Sequence, residues 1–412
     1  MNKLINKKKF LLLISLIVSA FIIAISQNKI FWDWIFGSLA MVPPQWPSFS
    51  DFNAINQALK SLKDGYNPYF YNPHDTHGVL YVYPKIWLII FDVLHFQKKE
   101  IYLFICFLIL TFYFFILLNF FSLFKKNYSY IFLIFFFTSP TNTLLIERLN
   151  TDIIIFILTY FLVINNNFII KNFFFFTSVA LKIYPVFLIV IFLNNKKIFF
   201  TITFSFILIY ALYEEILLGS KNMIEYALIF AYGSRTFANA IFRVFGNYNI
   251  FLNQENYEYL KFFLILFFII ISLIFFLKGL KERENYNKNI SDFFIIGSSV
   301  YLGTFIFTSN IDYRLVFLIY TFPLIFLNIK EHFAKLFFIS CFISFYSLWF
   351  QSSDYKSATF MLMAIFIYML KFFIFVYLSY KLGAVLGGYK IIKVIKRYIS
   401  RESRIFLFFK KK

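Results

Sequence analysis

Apolar runs near the length of a bilayer-spanning helix recur from one end of this chain to the other, and no other feature restricts its fold as much. A helix needs roughly 20 residues to cross about 30 Å of hydrocarbon. Runs of that order fall at 10–26, 79–96, 101–123, 131–146, 152–167, 172–193, 199–218, 258–277, 291–309, 315–329, 336–350 and 357–381. The chain is 61% hydrophobic and 24% aromatic, an excess that a soluble core cannot absorb. The expectation is an all-α, polytopic transmembrane helical bundle with roughly 10 to 13 membrane segments.

The first run, Phe10 to Ser26, follows Lys7-Lys8-Lys9 and is not closed by a small-residue cleavage site before Gln27-Asn28-Lys29. It reads as a retained first helix, not a signal peptide. The net charge of +20, from 40 Lys+Arg against 20 Asp+Glu, sits largely in short inter-helix links and in the tail from Lys390 to Lys412. That distribution points to membrane lipids and cytoplasmic anchoring, and away from nucleic acid. Cys106 and Cys341 lie far apart inside apolar runs and give neither a disulfide framework nor a zinc site. Heavy use of Phe, Ile, Lys, Asn and Tyr looks like an AT-rich coding bias, so isolated residues of these types carry little weight.

With the basic N-terminus inside, residues 27–78 form a structured first external loop and 220–256 a second one. Residues 1–381 then make a single polytopic membrane domain and 382–412 a basic cytoplasmic tail, with both termini cytoplasmic in the plasma (inner) membrane. Two places strain this bookkeeping. The links at 97–100 and 125–126 cannot both be inside if runs 79–96 and 101–123 both cross fully, a conflict that a re-entrant run would resolve, and run 172–193 has basic residues at both ends with Lys182-Ile183-Tyr184-Pro185 in its middle. Two half-helices meeting near Pro185 would resolve the second conflict, since non-helical backbone is tolerated at depth where it lines a cavity. Asp51, the stretch Glu147 to Asp152 and the stretch Asp312 to Arg314 then converge on the outer face. Charges near the membrane are costly and tend to be functional.

Ser50 or Asp51 can cap a short helix through Ala54 to Lys63. Asp51 can equally act as a general base, taking the proton of an acceptor hydroxyl as it attacks a sugar carbon. An early external Asp, then Gly65-Tyr66-Asn67-Pro68-Tyr69, Tyr81-Val82-Tyr83-Pro84 and Leu181-Lys182-Ile183-Tyr184-Pro185 occur in order, followed by Asp312-Tyr313-Arg314 ahead of Pro323. This ordered set resembles the polyprenol-phosphate-mannose-dependent mannosyltransferase-like membrane proteins of the GT-C fold, the GT87 or DUF2029 group. Two positions depart from that pattern, Lys85 after Tyr83-Pro84 and the turn Arg148-Leu149-Asn150-Thr151-Asp152.

The resemblance implies an inverting hexosyltransferase with a mannose-like sugar, acting at the outer face on an envelope glycolipid or glycan acceptor. It implies a polyprenyl-phosphate-sugar donor from the membrane, no soluble cofactor, and Asp51 as base. Lys182, Arg148, Arg314 and Tyr184 are then expected at the donor phosphate, and Tyr83, Asn150, Asp152, Arg235, Asn247 and Asp312 at the substrates. Ordinary pairing is the competing account: Lys182 with Asp152 or Glu147, Arg148 with Glu147 or Asp152, and Arg314 with Asp312. The stretch Tyr232 to Asn247 suits either a sugar- or phosphate-binding loop or an interfacial amphipathic helix. His74, Asp75 and His77 lack a distant fourth ligand, so no metal is expected. A transporter or lipid flippase, and an envelope-polysaccharide polymerase or ligase built on 220–256, are the rival functions.

Overall fold

The structure, a computed structural model, describes residues 2–122, 128–193, 195, 198–221, 231–247, 254–282, 284, 286–307, 310–350 and 358–387. Helix α1 spans Asn2–Ile25, and α2, Lys29–Trp32, runs into a π-helical turn at Asp33–Leu39. Helices α3 (Ser50–Lys63) and α4 (Ile86–Val93) precede α5 (Lys99–Ser122), α6 (Tyr128–Phe137), α7 (Pro140–Arg148), α8 (Asp152–Ile164) and α9 (Phe168–Leu181). A 3-10 segment, Tyr184–Phe192, then leads to α10 (Ile198–Ala211) and α11 (Tyr213–Lys221). Strand β1 (Ala231–Tyr232), α12 (Ser234–Asn247), α13 (Gln254–Lys281), α14 (Lys288–Phe307) and β2 (Asn310–Ile311) follow. A second long 3-10 segment, Asp312–Thr321, continues into α15 (Phe322–Leu327), α16 (His332–Phe345) and α17 (Ala358–Leu386).

Five helices, α1, α5, α13, α14 and α17, are long and apolar enough to cross a membrane. Helix α13 buries little of its surface although it is apolar all round, an exposure that water would not tolerate. The chain is an all-α integral membrane protein. Helices α8, α9, α10 and α16 are apolar but shorter. Run 79–96 proves to be no spanning helix: only Ile86–Val93 is helical, and Trp87 and Phe91 pack against Phe52 of α3. Run 131–146 is split at Ser139-Pro140, where Ser139 caps α7 and Pro140 takes its first position.

The break expected near Pro185 is present. Helix α9 stops at Leu181, Lys182 is extended at φ −155° and ψ 141°, and the chain resumes as a 3-10 run of 9 residues. Proline disfavours helical backbone before it and supplies no N–H. The Trp87 indole N–H donates to the Leu181 carbonyl at 3.0 Å, satisfying an acceptor that the helix end leaves open. The 10-residue segment Asp312–Thr321 is a second break of the same kind, and 3-10 runs of more than about 4 residues are uncommon.

Both 3-10 segments pack on α14, the most buried of the five long helices. Gly303 makes room for the Phe187 ring of the first, and a Cβ at Gly297 would come within 2.7 Å of the Phe317 carbonyl of the second. Helices α13 and α17 cross as closely, with Gly279 against the Tyr380 carbonyl and Gly383 against that of Phe276. Small residues permit such approach between membrane helices. Strands β1 and β2 form a two-residue antiparallel ladder, Ala231 opposite Ile311 and Tyr232 opposite Asn310, which fixes the start of the second segment.

Candidate functional site

Asp51 lies in the first turn of α3 but does not cap it. The preceding Phe49 holds the cap position in left-handed backbone, φ 58°, and no side chain bonds there. The Asp51 carboxylate faces another element, accepting from Asn150 Nδ2 at 2.5 Å. Asn150 is placed for this by the end of α7, where Leu149 turns left-handed at φ 43°. Its side-chain oxygen accepts from the Asp152 amide at 3.0 Å and from Lys182 Nζ at 3.0 Å. A single amide therefore joins α3, the α7–α8 turn and the broken end of α9.

Asp152, fully buried at the start of α8, is the centre of the site. Its Oδ1 accepts from Lys182 Nζ at 2.5 Å and from the Tyr184 hydroxyl at 2.8 Å, and its Oδ2 from Arg314 Nε at 3.1 Å. Lys182 Nζ also lies 5.6 Å from the Tyr83 ring, and the Arg314 guanidinium 5.1 Å from that of Tyr184. The aromatic faces add attraction for the two cations. Lys182 and Arg314 keep only 10% and 9% of their side chains exposed, so water screens them weakly. Two cations against one carboxylate leave a net +1.

Glu147 and Arg148 form an adjoining clamp. Arg148 Nε lies 2.8 Å from Glu147 Oε2, while its two other nitrogens donate to Ser50 Oγ at 3.2 Å and the Pro43 carbonyl at 3.0 Å. Glu147 Oε1 accepts from the Trp32 indole at 3.2 Å and the Gln45 amide at 2.8 Å. The clamp thus ties residues 32–50 to α7. Both carboxyls stand outside the five long apolar helices. Burial pushes the Asp51 pKa up from its ordinary value against the pull of Arg148 and Asn150, and pushes Glu147 to about 7 against Arg148.

The structure thus gathers Asp51, Tyr83, Arg148, Asn150, Asp152, Lys182, Tyr184 and Arg314 around one place. Asp312 does not join them. Its carboxylate binds Lys371 Nζ at 2.7 Å and 2.8 Å and accepts from Ser347, all of it buried. The alternative pairing of Arg314 with Asp312 does not form, because in a 3-10 turn it is residues three apart that share a side, and these two are two apart. Arg235 is partly buried in the first turn of α12 and makes no ion pair among the described residues. The Asn247 side chain, residues 222–230 and the tail from 388 onward lie outside the described residues.

Helix α12 is not laid out alone on a surface. It packs on α13 and α14, with Phe237 stacked on Tyr368 at 4.8 Å. The loop histidines are also accounted for: His74 pairs with Asp64 at 2.6 Å, and Asp75 accepts the amides of His77 and Val79 in a turn closed at Gly78. Among the described residues no group of His, Cys, Asp and Glu is suited to a metal ion. Lys371 escaped the reading of the sequence, although a lone Lys inside run 357–381 was a visible signal.

The arrangement offers a carboxylate of raised basicity, an amide beside it, and two cations held by one counter-charge. That combination suits an anionic ligand whose neighbour must give up a proton. No family model, curated protein or solved structure matches this chain.

Proposed function

We propose that the chain is a membrane glycosyltransferase that moves a mannose-like hexose from a polyprenyl-phosphate-sugar donor to an envelope glycolipid or glycan. The observation that carries this is the continuous hydrogen-bonded line Asp51–Asn150–Lys182–Asp152–Arg314. It puts a base and a pair of cations one amide apart. The acceptor hydroxyl attacks the anomeric carbon, its proton passes to Asp51, and the bond from that carbon to the phosphate oxygen breaks with inversion. The oxygen keeps the electron pair, so the departing polyprenyl phosphate gains negative charge, which Lys182 and Arg314 stabilise. The donor's own charge raises the Asp51 pKa further and makes it the better base.

In this account the five long helices cross the plasma membrane, and α8, α10, α16 and the split runs 131–146, 172–193 and 315–329 bring the total within roughly 10 to 13 segments. Both termini are cytoplasmic and the site opens outward, where Tyr83 and Asn150 meet the sugar. The donor arrives laterally, so the reaction draws on no soluble cofactor. Arg235, Asn247 and Asp312 have no step in it.

The test is transfer by purified protein in bilayers, given labelled polyprenyl-phosphate hexoses and envelope lipid extract. Label moving into the extract supports the reading. A second reading, a carrier for an anionic lipid or solute, is favoured by the two helix breaks that meet at Asp152, since carriers bind at such breaks. It predicts that the labelled lipid changes leaflet intact and no product forms.

A further inference from the structure

Helix α1 ends at Ile25, at the limit of a span, and the chain turns at once into the helical stretch Lys29–Leu39. Two of its aromatic side chains, Trp32 and Phe36, face the protein and are buried in contact with each other. The other face is bare: Ile30 is 79% exposed, Phe31 57%, Trp34 53% and Leu39 59%. At 11 residues from Lys29 to Leu39, the stretch cannot cross hydrocarbon, for which about 20 are needed. Trp349, itself 44% exposed, donates its indole N–H to the Ala40 carbonyl and extends the same aromatic border.

We infer that Lys29–Leu39 is a lipid-binding surface that lies in the membrane–water boundary beside the end of α1, with Ile30, Phe31, Trp34 and Leu39 inserted among the lipids. Continuity names the occupant. The bare face follows directly on the exposed side of α1, where Phe10, Leu13, Ile17 and Phe21 stand uncovered along the span. Tryptophan gathers at that boundary because its ring is apolar while its N–H stays wet. Lys29 and Asp33 on the same stretch suit a segment lying in the plane of the interface.

The consequence reaches the site. Trp32 and Gln45 bind Glu147, and Pro43 binds Arg148, so the boundary helix and the Asp51 end of the protein move as one piece. Lipid contact at Trp34 therefore holds the cluster at headgroup depth. This surface stands whether or not sugar transfer is the activity.

Cys106 and Cys341 are buried, so Ile30→Cys, Trp34→Cys and Leu39→Cys each add one accessible thiol for a nitroxide label in the full chain. Lys60→Cys, on an exposed charged position of α3, serves as the aqueous control. The proteins are placed in phosphatidylcholine nanodiscs, and collision of the label with oxygen is compared with collision with a polar nickel chelate. Oxygen should dominate at the three boundary positions and the nickel chelate at position 60. Without any added cysteine, lipids brominated near the glycerol should quench the native emission more than lipids brominated at the chain end. Trp34→Phe should remove a large part of that quenching. Nickel access at the boundary positions equal to that at position 60 would overturn the inference, as would exclusion of both reagents, the mark of a protein partner or a second copy.

Discussion

Lys182 and Arg314 grip opposite oxygens of the same carboxylate, Asp152, at 2.5 Å and 3.1 Å, from positions 30 and 162 residues away in the chain. Each cation comes from one of the two 3-10 breaks, and both breaks are seated on α14. Position and charge are thus set together: the helix packing aims the cations, and the carboxylate keeps them in the interior.

Asp152→Asn should be the most destabilising change in the cluster. It leaves two buried cations without a counter-charge, and breaking a buried pair by removing one partner costs about 3–5 kcal/mol. Lys182→Met should cost about 1–3 kcal/mol, because Asp152 keeps Arg314 and Tyr184. Thermal unfolding in detergent reads the order, and a Lys182→Met protein less stable than Asp152→Asn would refute it.

Gly383→Ala should separate α13 from α17, since its Cβ would overlap the Phe276 backbone carbonyl, which cannot swing aside. Overpacking of this kind costs about 1–3 kcal/mol or more. Gly303→Ala meets the Phe187 ring, with Cγ among the nearest atoms, so the whole side chain must shift, but no backbone atom is among its three nearest contacts, and it should be the milder of the two. Unfolding midpoints of the two variants, measured side by side, check that ranking.

Parts of this structure were legible in local pattern. Lys182 and Pro185 interrupt an apolar run, and the helix does break there, because a missing N–H and an embedded charge act on their immediate neighbours. Asp51 in the first turn of α3 was equally plain, but Phe49, not Asp51 or Ser50, holds the cap position. Span counting misled for a related reason. Runs such as 79–96 and 315–329 are continuous in hydropathy yet split by loop or 3-10 backbone, which hydropathy does not register. The centrality of Asp152 was hidden because its partners lie on other elements. The Asp312–Lys371 pair was hidden in the same way, joining a helix break to the interior of α17.

Glu147 should make stability pH-dependent. Its pKa is about 7 in the folded protein against an ordinary 4.5, owing to burial, so the folded state holds a proton that the unfolded state releases between those values. Its contribution is fully present below about pH 4.5 and is lost as pH rises through about 7, a span worth roughly 3 kcal/mol. Glu147→Gln should flatten that part of the profile while keeping an oxygen for Trp32 and Gln45. An unchanged slope between pH 4.5 and 7 in the variant would show that another group titrates there.

Sugar transfer by Asp51→Asn is the most direct measurement of the account. The substituted amide keeps the size of the side chain and can still accept from Asn150, but it cannot take the acceptor's proton. General-base catalysis typically contributes about 10²–10⁴-fold. Transfer from labelled polyprenyl-phosphate hexose should therefore fall by at least about 10²-fold, with unfolding midpoint and donor-lipid binding close to those of the unaltered protein. Transfer within a few-fold of the unaltered protein, at matched protein level and saturating donor, would contradict the role of Asp51 and turn the Asp152 cluster toward the carrier reading.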